Sequence, residues 1–358
     1  MHIRNHLRWE RYGYMKENYY MNLPESMMKT YIIICKLNTG GVYGVYKAWH
    51  IQMCNYVVIR ETRYDGGMDS ADRCGEAETL KSISGVYIPR VLDCLTGDNR
   101  SYIVTEYLDG KSLDILLRQG RRFTLYQLHK WYMQLAEALE YIHGHNVFHR
   151  DIKPANIVLT RGGGVRIIDF GSAIIGASGL GNISYSRGYA SPQQQDAFIR
   201  LQDCSRRRLD KSVNKHINNK NLYDKEPHTS ISECATVLFG YDDTQPGQDD
   251  PAYANGPWRR SSYGVDWANS DIYSLGATMY HLLSGSRPPI LTDEDVYQLP
   301  MAMCSCGISH IIERSMRFNP EERYSTAREL REAIQGVEIK ESIPLAWAAG
   351  FGYNYLKK

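Results

Sequence analysis

The chain has 358 residues, 43% of them hydrophobic, and a formal net charge of +2 at neutral pH. That much apolar content supports a large core, in two lobes of one unit or two ordinary domains. So balanced a charge argues against nucleic acid as a main partner. Eight cysteines are scattered without metal-ligand spacing, and Cys304-Ser305-Cys306 is too tight for a zinc hairpin. Reduced thiols in a cytoplasmic setting are therefore expected. Residues 1–30 are polar and aromatic and hold no apolar signal-peptide core. The apolar run at 343–351 is glycine-interrupted and too short for a membrane span.

In chain order, residues 1–30 read as an N-terminal extension without clear periodicity. Strand-like runs follow at Tyr31 to Cys35, Gly44 to Trp49 and Tyr56 to Arg60. Between the first two lies a glycine-rich segment, Leu37-Asn38-Thr39-Gly40-Gly41-Val42-Tyr43-Gly44-Val45. Such a hairpin lets backbone amides approach phosphates without side-chain obstruction. A helical stretch runs from Ser70 to Ile83, and a strand from Ser101 to Leu108 ends at the turn Asp109-Gly110. Leu128, Trp131, Leu135, Leu139 and Ile142 give Leu125 to His143 a helical period. From about 194 to 262 the composition is polar and split in charge, as in a solvated loop. Asp271-Ile272-Tyr273-Ser274-Leu275-Gly276 opens a central helix; Tyr297 to Phe318 and Ser325 to Ile334 read as closing helices, and 337–358 as a tail.

The densest chemistry lies at 147–159, Val147-Phe148-His149-Arg150-Asp151-Ile152-Lys153-Pro154-Ala155-Asn156-Ile157-Val158-Leu159. A carboxylate stands two residues from an ammonium, on a stretch that proline keeps from regular helix. An amide then precedes a short apolar strand. Thirteen residues after Asn156 comes Asp169, in Ile167-Ile168-Asp169-Phe170-Gly171. Phosphoryl transfer needs such a set: a base to orient a hydroxyl, a cation for the moving phosphate, and oxygen ligands for magnesium.

Together these segments resemble the catalytic and metal-binding loops of the eukaryotic-type serine/threonine protein kinase family, most like its bacterial members. The resemblance covers roughly residues 31–336. It implies an α+β, bilobal fold: a small antiparallel sheet lobe over 31–108 and a larger helical lobe over 109–336, with the polar insert inside the latter. It further implies that Asp151 orients the acceptor, that Lys153 stabilises the transferring phosphate, and that Asn156 and Asp169 hold Mg2+ or Mn2+. ATP would contact Leu37, Gly40, Gly41, Val45, Val58 and Arg60, with Glu76 pairing the third-strand cation and the backbone of Glu106 and Leu108 meeting the adenine edge. By the same resemblance Ser186 bonds the catalytic pair, Asp271 braces their loop, and Arg150 reads a phosphate at Ser178 or Ser184. A protein serine or threonine is the implied substrate.

Several positions depart from the family pattern. Asn38 and Tyr43 replace glycines, Val58 replaces alanine, Arg60 stands for the ATP-anchoring lysine, and Gln193 for the glutamate that would pair with Arg323. Two functions therefore stay open: a kinase attenuated by Arg60, or a pseudokinase acting as a nucleotide- or protein-binding module.

Overall fold

The computed structural model describes residues 24–37, 44–63, 80–81, 83, 85–97, 100–176, 185–201, 265–289 and 307–339. Gly40, Gly41 and Glu76 lie outside them, as do Asn38, Tyr43, Ser178, Ser184 and most of the polar insert. The architecture is α+β, in two compact units: residues up to 74 together with 91–107, and residues 75–90 together with 108 onward.

The first unit is a five-stranded antiparallel sheet, β1 (Tyr31–Lys36), β2 (Gly44–His50), β3 (Asn55–Arg63), β4 (Val91–Gly97) and β5 (Arg100–Glu106), in the order β1-β2-β3-β5-β4. The strand period of two sorts its side chains. Tyr31, Ile33, Ala48, Val57, Ile59, Tyr102 and Val104 form one core, joined by Met27 from the short helix α1 (Glu25–Met28). The end of the expected N-terminal extension thus packs into the sheet. Val58 and Arg60, one residue out of phase with Val57 and Ile59, fall on the opposite face. Register places Val45 across from Arg60 and Arg60 across from Ile103; Lys47, Val58 and Thr105 align in the same way.

The second unit is mainly helical. β6 (Gly110–Ser112) leads into α2 (Leu113–Arg118), and then α3 (Leu125–Gly144). Thr124 and Gln127 close a capping box at the start of α3, each side chain serving the other's backbone N–H; such a cap is worth about 1 kcal/mol. The apolar stripe expected for 125–143 is buried here, with Leu128, Leu135, Leu139 and Ile142 at 0% exposure. β7 (Val147–Phe148), β8 (Ile157–Thr160), β9 (Val165–Ile167) and β10 (Ile174–Ile175) follow, then a helix α4 over 192–201. The central helix α5 (Trp267–Ser284) is buried along nearly its whole length. It begins four residues before the expected Asp271, because Asp266 caps it by accepting from Asn269 N. Gly276 lets α5 approach α6 (Gly307–Ser315): a Cβ there would stand 2.6 Å from Ser315 Cβ. α7 (Ala327–Gln335) packs on α3 and closes the described chain. Among the described residues no helix is long and apolar enough to cross a membrane.

The reading of a solvated loop from about residue 194 is corrected at its start. Residues 192–201 are helical, Gln194 is 0% exposed and Ala197 3%. Ala197 joins Ile174, Val265 and Trp267 in an apolar cluster flanked by Phe198 and Leu201. The apolar residues at 197, 198 and 201 share one helix face, a signal masked by the charged residues that surround them. A linker replacing the chain from Gln195 would remove this helix.

Candidate active site

The loop after α3 is tied down at both ends. β7 pairs antiparallel with β10, Phe148 opposite Ile174, and β8 pairs with β9, Ile157 opposite Ile167. Residues 149–156 and 168–173 therefore run side by side. Ile168 N donates to Asn156 O at 2.8 Å. His149 Nδ1 accepts from Asp151 N, so its Nε2 carries the proton and donates to Ile168 O at 3.1 Å. Its ring also stacks edge-on against Phe170, centroids 4.8 Å apart.

Below the loop, the fully buried Asp271 carboxylate accepts from His149 N at 2.8 Å and Arg150 N at 2.7 Å, with His143 Nε2 at 3.0 Å. This is the bracing role expected of Asp271. It also accounts for the backbone of Arg150, held at φ +63°, a left-handed conformation that costs about 1–3 kcal/mol in a non-glycine residue. Asp169 has φ +64° and accepts from Gly171 N at 3.3 Å. The Arg150 guanidinium is buried, donates from Nε to Ser172 O at 2.6 Å and lies 5.1 Å from the Trp267 ring centroid.

Within this frame Asp151, Lys153, Asn156 and Ser186 form one hydrogen-bonded set. Ser186 Oγ donates to Asp151 Oδ1 at 2.6 Å. Lys153 Nζ donates to Asp151 Oδ2 at 2.6 Å and to Ser186 Oγ at 2.9 Å. Asn156 Nδ2 donates to Asp151 O at 2.9 Å and to Asp151 Oδ2 at 3.0 Å. Charge-assisted bonds of this kind are shorter and roughly twice as strong as neutral ones. They fix the carboxylate in orientation.

The donor set suits a hard divalent cation. Asn156 commits its NH2 to Asp151, which leaves its carbonyl oxygen as the ligating atom, and Asp169 supplies an exposed carboxylate one residue beyond the Ile168–Asn156 bond. Oxygen donors of this type bind Mg2+ or Mn2+.

The segment after Ser186 is anchored by residues far away in sequence. Gln193 Oε1 accepts from Arg323 at 2.7 Å, the amide–guanidinium bond expected in place of an ion pair. Arg323 is 2% exposed and donates as well to Asn269 Oδ1 and to the carbonyls of Arg317 and Phe318. Burial lowers its pKa to about 10, so it stays charged at neutral pH.

Sequence reasoning missed Gln194. Its amide donates to Arg150 O at 2.7 Å and accepts from Ser270 Oγ at 3.0 Å, and Ser270 in turn meets Ser191 Oγ at 2.8 Å. One buried side chain thus links the strained residue before Asp151 to α4 and α5. Gln194→Leu should lower stability by about 1–3 kcal/mol, since it removes the donor to the buried Arg150 carbonyl and the acceptor of the Ser270 hydroxyl. Denaturant unfolding measures this; a loss under about 0.5 kcal/mol would mean the network carries little.

Of the residues expected to meet nucleotide, Val45, Val58 and Arg60 share the non-core face of the sheet. Leu37 is half exposed and donates from N to Val45 O at 2.7 Å. Glu106 ends β5, and Leu108 begins the second unit's main run. Lys47, the nearest cation on the neighbouring strand, has Nζ 4.0 Å from the ring centroids of both Tyr56 and Tyr107.

Comparison with known proteins gives a consistent picture. The protein kinase domain family matches residues 31–196. A probable serine/threonine-protein kinase of Streptomyces coelicolor is 34% identical, across 93% of this chain and 44% of that protein. The serine/threonine-protein kinase PknA of a Nostoc species is 26% identical across 72% of this chain and 36% of its own length. PknB of Mycobacterium leprae is 26% identical across 87% and 43%. The chain spans less than half the length of these relatives.

Proposed function

Because the chain belongs to the eukaryotic-type serine/threonine protein kinase family, most like its bacterial members, we propose that it carries the gamma phosphate of ATP to a serine or threonine of a protein. The observation that carries this reading is the set Asp151, Lys153, Asn156 and Ser186, bonded to one another within 3.0 Å. Asp151 Oδ1, which holds the Ser186 hydroxyl, is the atom to orient an acceptor hydroxyl. It takes the proton as the new O–P bond forms and the bond to the ADP oxygen breaks. The Lys153 ammonium, 2.6 Å from Asp151, would steady charge on the moving phosphoryl group. Asn156 and Asp169 would hold the divalent cation, which when bound neutralises phosphate charge. Val45 and Val58 would sandwich the adenine from the sheet side, with the backbone of Glu106 and Leu108 at its edge. A cytoplasmic setting, where thiols stay reduced, suits the free Cys35, Cys54 and Cys94.

A second reading, a pseudokinase that binds nucleotide without useful turnover, draws on Arg60. Arginine keeps the charge of the usual lysine, but its planar fork prefers two-point contact and takes more room. Lys47 does not stand in for it, since its ammonium rests between two tyrosine rings. One lost preorganised contact of this kind costs about 10²- to 10³-fold in rate. Arg60→Lys should therefore raise turnover by about tenfold or more, read from steady-state transfer to a generic protein substrate. If both forms bind ATP and neither transfers phosphate, the pseudokinase reading replaces the kinase. Strong wild-type activity that disappears in Arg60→Lys would show a pocket rebuilt around arginine.

A further inference from the structure

Ser186, whose hydroxyl touches both Asp151 and Lys153, marks where an acceptor hydroxyl must arrive. Three segments build the surface beside it. Gly188, at φ +85°, sits so close to Pro288 that a Cβ there would stand 2.7 Å from the Pro288 carbonyl oxygen. Tyr189 OH lies 2.6 Å from His281 Nδ1 on α5. Burial pushes the tyrosine pKa up to about 12. Burial also holds His281 below its usual value, so at neutral pH the phenol donates to a neutral imidazole. α5 then stops at Gly285, φ +72°, where the Arg122 guanidinium lies against the backbone: a Cβ on Gly285 would be 2.9 Å from Arg122 Cζ. Residues 186–189, 285–288 and 122 thus form one continuous surface.

Its exposed charge is all of one sign. Arg122, Arg187 and Arg287 are exposed, and among the described residues none of the three is ion-paired with a carboxylate. Lys111, also exposed, lies on β6, which packs against the turn Pro154–Asn156. The acid that faces Tyr189 and His281, Asp114, is ion-paired with Arg118. Arg287 and Arg122 both hold the His281 pKa down, against the opposing pull of Asp114.

We propose that this arginine-lined surface selects acceptor proteins whose serine or threonine is flanked by aspartate or glutamate. The proposal rests on the kinase reading and names its substrate class. Unpaired guanidiniums accept carboxylates in fork geometry, and a cationic rim speeds encounter with acidic segments while repelling basic ones. Two or three such exposed pairs together are worth about tenfold in affinity.

The test uses the full chain and three fluorescent serine peptides, flanked by glutamate, by glutamine or by arginine. Binding is read by polarisation and transfer with MgATP. The acidic peptide should bind about tenfold more tightly than the neutral one, and the basic peptide most weakly. Its advantage should shrink as salt rises from about 0.05 to 0.5 M. The double charge reversal Arg122→Glu with Arg287→Glu should erase the preference at unchanged melting temperature. The salt titration of the wild type keeps the proposal falsifiable if that variant does not fold. Equal or tighter binding of the neutral or basic peptide overturns the proposal, as does an acidic preference that survives both reversal and salt. An acidic preference in binding with no transfer to any peptide instead sinks the kinase reading and leaves the surface as a docking site.

Discussion

Asp151→Asn should leave nucleotide binding intact and lower phosphate transfer by about 10³-fold or more, within the range set by loss of a positioned base. The substitution is nearly isosteric, so the loop braced by Asp271 through the N–H groups of His149 and Arg150 should keep its path. What changes is the acceptor. Ser186 Oγ and Lys153 Nζ both donate to the Asp151 carboxylate, at 2.6 Å each. An amide in its place has one weaker acceptor and no charge with which to take a proton. Binding by isothermal titration and transfer by phosphate incorporation separate the two effects. Equal transfer by variant and wild type would remove Asp151 from its role.

On the proposed reading, Asp169→Ala should abolish metal-dependent nucleotide binding and with it transfer, because a cation held there would supply much of the charge neutralisation at the phosphates. Asp169 is exposed, and its side chain accepts from Gly171 N. Its removal should therefore shift the melting temperature of the metal-free protein by no more than a few degrees, about 1 kcal/mol or less. Magnesium or manganese should no longer raise that temperature in the presence of ATP, whereas the wild type should be stabilised. An undiminished metal response in the variant would place the cation elsewhere.

Local spacing made the proposed catalytic set legible. Asp151, Lys153 and Asn156 fall within six residues, and the short strands β8 and β9 that bring Asp169 alongside are written in apolar runs at 157–159 and 167–168. The helix α3 was legible for the same reason, through a stripe of period 3.6. What was hidden depends on partners far along the chain. Gln194 reads as the first residue of a polar insert, and only its bonds to Arg150, 44 residues back, and Ser270, 76 residues on, show it to be structural. Helix α5 starts at Trp267 because of a cap at Asp266, a signal overshadowed by the Asp271 segment. The position of Lys47 between two tyrosine rings, one of them beyond the end of β5, is equally invisible in the local sequence. The pairing of Tyr189 with His281 spans 92 residues and leaves no local trace.

The central claim, that this chain moves phosphate from ATP to a protein hydroxyl through Asp151, has one direct test. The purified chain is incubated with gamma-labelled ATP, manganese or magnesium and a generic protein substrate, beside Asp151→Asn and Arg60→Lys, and the labelled amino acids are identified after hydrolysis. The account predicts label on serine or threonine from the wild type, more from Arg60→Lys and none above background from Asp151→Asn. No label from either the wild type or Arg60→Lys, with ATP binding intact in both, would contradict it.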